Sequence, residues 1–165
     1  MNTFKIFSFA VLISSASLCQ AQDTETAKKA IDAEQYEKAK IMLKNILQAK
    51  PSNGKASFLL GNIYLKQNIE DSAAIFFQKG ITASEGARFN SIGLGELDLD
   101  KGDATAAKSK FDLVIKDLKK KDFEEYVYIA KAYMNTEKPN FKSAIEVLLK
   151  AKTLNPNAAD IQLAL

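Results

Sequence analysis

The feature that most constrains this chain is a spacing. In the stretch from Gly54 to Glu85, GKASFLLGNIYLKQNIEDSAAIFFQKGITASE, Leu60-Gly61 is followed by Tyr64 and then by Ala73 and Phe77. The arrangement returns downstream as Leu94-Gly95, Ala107 and Phe111, with Gly95 and Ala107 each 34 residues beyond Gly61 and Ala73. Each copy sets a small residue inside two apolar runs of helical period, the pattern of two helices that pack closely. One such pair cannot bury its own apolar face, so a period of this length predicts a stack of pairs.

The rest of the chain can be laid out on that period. No run shows the strict alternation of a half-buried strand, so the fold class is all-α. Helices are expected over Thr24–Ala33 and Gln35–Ala49, Gly54–Gln67 and Glu70–Ser84, Arg88–Asp100 and Asp103–Lys119, and Phe123–Asn135 and Phe141–Leu154. Pro51-Ser52-Asn53-Gly54 stops the first pair, Gly102 can take positive φ in the third turn, and Asp103 can cap the helix after it. The fourth turn, TEKPN, is longer, because Pro139 can follow a helix end but not extend it. The tail AADIQLAL begins another apolar face, either a short capping helix or the opening of a fifth repeat at 159–165.

These letters resemble the tetratricopeptide repeat, whose 34-residue signature is W-x2-L-G-x2-Y, then A-x3-F, then P. Here the second copy reads Ser57-x2-Leu60-Gly61-x2-Tyr64 with Ala73-x3-Phe77, and the third Ser91-x2-Leu94-Gly95-x2-Asp98 with Ala107-x3-Phe111. The fourth reads Tyr126-x2-Ile129-Ala130-x2-Tyr133 with Ala144-x3-Leu148 and Pro156, and the first keeps Ala39-x3-Leu43 and Pro51. The resemblance implies a right-handed α-α superhelix of about four repeats, approximately 22–53, 54–87, 88–122 and 123–158. Close packing is expected to set Gly61 against Ala73 and Gly95 against Ala107, with Tyr64, Phe77, Phe111 and Tyr133 filling the space between pairs. Asp98 stands where the motif has an aromatic, and Ala130 to Ala144 is two residues longer than Gly95 to Ala107. The third and fourth interfaces are therefore the expected weak points.

The first 21 residues read as a secretory signal peptide: Lys5, an apolar run from Ile6 to Ile13, then SSASLCQ and Ala21. That core is shorter than the roughly 20 residues that span a bilayer, so no integral membrane span is expected. Cys19 alternatively reads as the lipid-bearing first residue of a lipoprotein, although Leu18 before it is bulkier than such signals favour. Cleavage near Ala21 leaves a chain over 22–165 with no thiol and places it in a bacterial periplasm or cell envelope.

Composition narrows the function classes. The chain has no histidine, which removes the usual general base near neutral pH and the commonest imidazole metal ligand. The formal charge of +3 includes Lys5, and Lys119-Lys120-Lys121 is hemmed by Asp117, Asp122, Glu124 and Glu125, a solvated turn with no call on nucleic acid. Nucleophile elbows, phosphate loops and metal spacings are missing, and Gly93-Leu94-Gly95 lies inside a helix. An enzyme is not expected, nor is a cofactor.

The resemblance implies that the first helices of successive pairs line a concave groove for an extended peptide or a partner helix. The candidate groove residues are Phe58, Asn62, Leu65 and Lys66 in the second pair, Phe89, Ile92, Glu96, Leu99 and Asp100 in the third, and Val127, Lys131, Met134 and Asn135 in the fourth. Some relatives in that family clamp carboxylate tails with Lys, Arg and Asn, a partner class disfavoured here by Phe58, Ile92 and Val127. The apolar members also suit packing between neighbouring first helices, in which case the groove is polar and less specific. The expected function is a protein-interaction scaffold, and the alternative is an assembly subunit or N-terminal region of a larger envelope protein that docks through its C-terminal face.

Overall fold

The computed structural model describes residues 24–83, 85–119 and 121–156. The expected leader, with Cys19, and the tail with its partial fifth repeat lie outside the described residues. Eight helices run through the described part: α1 at 24–32, α2 Tyr36–Ala49, α3 Gly54–Lys66, α4 Glu70–Ile81, α5 Ala87–Asp100, α6 Ala104–Lys116, α7 Phe123–Met134 and α8 Phe141–Leu154. Consecutive helices form hairpins, α3 with α4, α5 with α6 and α7 with α8, and the hairpins stack as α2 on α3, α4 on α5 and α5 on both α3 and α7.

Local chemistry fixes the helix ends. The side chains of Asn53, Asp103 and Asn140 accept from the backbone N–H of Ala56, Ala106 and Ser143, each satisfying one of the first-turn donors that a helix leaves open. The turns inside the first three hairpins repeat as well: Glu34, Asn68 and Gly102 stand 34 residues apart, and all three have positive φ, at 56°, 57° and 82°. Only Gly102 signals that conformation in the sequence. Asn tolerates it, and at Glu34 the hairpin imposes it on a residue that does not favour it. The longer fourth turn shows no positive φ.

The core is built from the motif residues, with one correction. A Cβ on Gly61 would lie 2.4 Å from Phe77 Cε1, and one on Gly95 would lie 2.4 Å from Phe111 Cε1. The glycines thus make room for the aromatic of their own hairpin, where Ala73 and Ala107 were the expected partners. A ring that enters the helix crossing needs more depth than a methyl group, and only a missing side chain supplies it. Gly93 closes on the other side of Phe77, with a would-be Cβ 2.5 Å from the same ring carbon. Phe77 is accordingly gripped between its own repeat and the next.

The two departures from the motif resolve differently. At Asp98 an ion pair to Lys110 on α6 takes the place of the missing aromatic. Between the third and fourth pairs, α6 touches α7 only sparsely, whereas α4 packs broadly on α5. Arg88 compensates in part: its guanidinium lies 3.0 Å from both Asp122 Oδ2 and the buried Glu125 Oε1.

Candidate functional site: a polar groove along the first helices

Residues at equivalent positions of α3, α5 and α7, 34 and then 35 residues apart, face a groove with a cavity volume of about 1250 Å³. Asn62, Glu96 and Lys131 occupy one register of that lining, and Lys66, Asp100 and Asn135 occupy the next. Leu65 and Val127 also reach it. Eight of the thirteen sequence candidates are therefore brought together. The other five are not: Phe58 (3% exposed) and Ile92 (1%) are buried, and Phe89, Leu99 and Met134 pack against the core clusters. These apolar positions lie one step around the helix, between neighbouring first helices, so the groove is the polar one of the two surfaces considered.

Phe58 and Phe89 have a role there that the period does not suggest. Tyr128 on α7 meets Phe58 edge-on at 4.9 Å between centroids and Phe89 at 5.5 Å, joining the second, third and fourth pairs in one aromatic cluster. Tyr128 also lines the groove, and burial pushes its phenol up to about 12. Close by, Lys28 on α1 reaches across to Glu124 at 2.9 Å. The stack therefore curls until its first helix meets its seventh, closing one end of the groove. Sequence reasoning missed Glu124, Tyr128, Lys28, Asp32 and Glu137. The spacing 124, 127, 128, 131 and 135 is a helical face that would have picked out Glu124 and Tyr128 in place of Met134.

The packing that decides the architecture is now in view: 34-residue hairpins, a glycine in the first helix receiving the aromatic of the second. The architecture is tetratricopeptide-like. The chain is similar to the crystal structure of YrrB, described as a TPR protein with an unusual peptide-binding site, at 22% identity and a TM-score of 0.49, over 84% of this chain and 70% of that one. No family model and no curated protein matches the sequence.

The groove's electrostatics run against the net charge of the chain. Its lining holds eight carboxylates, from Glu25, Asp32, Glu34, Glu70, Glu96, Asp100, Glu124 and Glu137, and four lysines, Lys28, Lys55, Lys66 and Lys131. At the end opposite Lys28, burial pushes the Glu96 carboxyl up to about 7, with a long 3.4 Å hydrogen bond from Asn135 and the charge of Lys66 opposing, and the charge of Asp100 adding to the rise. Asp100 is itself raised, by burial and then by the charges of Glu70 and Glu137. Asn62 Oδ1, on the same wall, is buried and has no hydrogen-bond partner among the described residues. None of the described residues form a group of three or more carboxylates placed to hold a metal ion. The arrangement offers acceptors to a donor-bearing ligand.

Proposed function

We propose that this protein is an interaction module that takes an extended peptide or partner segment along its concave groove, and that it acts in the bacterial cell envelope after export. The observation that carries the binding reading is the groove itself, a recess lined chiefly by α1, α3, α5 and α7, with Asn62, Glu96 and Lys131 at successive repeats. Rigid stacked hairpins hold those groups in place before the partner arrives, so little ordering cost falls on association. No bond is made or broken in this reading. The envelope location is supported by the signal-peptide pattern over residues 1–21.

Crosslinking in the native envelope followed by mass spectrometry tests it. Partner peptides should crosslink to α3, α5 and α7, and Asn62→Arg together with Lys131→Glu should abolish them; crosslinks that persist in that variant overturn the groove reading. The N-terminal residue of the mature protein checks export, with Gln22 expected and an intact Met1 contradicting it.

A second reading has its own observation. Phe141, Ile145 and Leu149 form an exposed apolar stripe along α8, at 61%, 48% and 48% exposure, on the last described hairpin. Such a stripe suits docking of a further domain or subunit in an envelope assembly. Under that reading Ile145→Ser with Leu149→Ser removes the partner while the groove variants keep it.

A further inference from the structure

Although the whole chain carries a formal charge of +3, the groove lining holds twice as many carboxylates as lysines. Two of those lysines are already engaged, Lys28 with Glu124 and Lys131 over the Tyr128 ring, and the charge of Lys66 acts on Glu96. At the end away from Lys28, Glu70 opens α4, Asp100 closes α5 and Glu137 follows α7, so three elements bring carboxylates to one place.

The same end collects the C-termini of α3, α5 and α7, at Lys66, Asp100 and Met134. Helix C-termini carry partial negative charge and favour cations, yet α5 has no basic residue in its last turn and ends on Asp100. Burial and then the charges of Glu70 and Glu137 bear on Asp100, and the last turn of α5 supplies no cation to answer them. The orphaned acceptor of Asn62 points the same way, since a buried carbonyl oxygen without a donor is costly until a ligand supplies one.

We infer that the groove's occupant is a cationic extended segment, whose lysine or arginine side chain is received among Glu70, Glu96, Asp100 and Glu137. This deepens the peptide-binding reading above and rests on it. The basic head relieves the carboxylate repulsion and answers the helix termini, and its backbone or side-chain N–H groups are within the chemistry that Asn62 lacks. Acidic segments meet like charge along most of the lining.

Selection of a random peptide display library on the full chain tests the inference. Enriched peptides should be rich in Lys and Arg. Their affinity should fall about ten-fold in Glu70→Gln with Glu137→Gln, two exposed positions whose change leaves thermal unfolding in place, and several-fold between 50 and 300 mM salt, as screening of about this range implies. Asp112→Asn, on the exposed face of α6, should leave affinity unchanged. Enrichment of neutral or acidic peptides that still depend on Asn62 and Lys131 overturns the cationic occupant and leaves the groove reading standing. Enrichment insensitive to every groove variant overturns both.

Discussion

Among single residues, Gly61 and Phe77 form the contact on which the second hairpin depends. Adding one methyl group at Gly61 puts a carbon 2.4 Å from a fully buried ring that Gly93 blocks on its other side, so the ring has nowhere to turn. Gly61→Ala should lower unfolding free energy by about 1–3 kcal/mol in urea denaturation. Phe77→Leu added to it should recover part of that loss, because neighbours in contact do not act additively. Glu96 gives a prediction with the opposite sign. Its carboxyl titrates at about 7 in the folded chain against 4.5 unfolded, because burial disfavours the charge. The folded state thus holds the proton more tightly, and this group withdraws stability as pH rises from 4.5 to 7. Glu96→Gln should match the parent near pH 4.5 and exceed it by about 1–2 kcal/mol above pH 7, a discounted share of ~1.4 kcal/mol per unit for a half-buried group. Denaturation midpoints that differ equally at pH 4.5 and 8 would contradict that assignment.

Pairs of helices set where the stack opens. Since α6 barely touches α7, the fourth hairpin is held mainly by α5, and Arg88 of α5 secures it through Asp122 and the buried Glu125. Local opening in a repeat stack follows its weakest interface. Amide hydrogen exchange should be fastest in α7 and α8, and Arg88→Ala should speed it further there while leaving α3 and α4 unchanged. The expected loss of stability is about 2–3 kcal/mol, below the usual figure for breaking a buried pair because the Arg88 side chain is 40% exposed. The helices themselves were legible in the sequence to within about three residues at either end. Apolar periodicity and a cap residue such as Asp103 are local signals, so the chain writes them directly, while the caps at Asn53 and Asn140 came from the structure. Glu34 was not legible as a turn, because nothing in a glutamate signals positive φ; only its place on the 34-residue period with Asn68 and Gly102 does.

Across the whole molecule, Lys28, Glu124, Tyr128 and Phe58 join the first, second and fourth hairpins and shape the groove. Tyr128→Ala should open the curl: small-angle scattering should show a larger radius of gyration, and stability should fall by about 2 kcal/mol, below the range for a fully buried aromatic because Tyr128 is partly buried. An unchanged radius would mean that stacking alone fixes the curvature. The sequence by itself determined the all-α hairpins and their 34-residue period, because each depends on residues within one turn or one pair; it did not determine that Gly61 and Gly95 receive Phe77 and Phe111 in place of Ala73 and Ala107, which came from the packing. It also named eight of the groove's residues, since Asn62, Lys66 and their equivalents repeat on one helical face. Only the tertiary structure decided that Phe58 and Ile92 are packing, that the groove is acidic on a chain of positive net charge, and that its end is closed by α1. Those depend on the rotation from each hairpin to the next, a small angle set by many side chains together and accumulated over the stack, which no local pattern encodes.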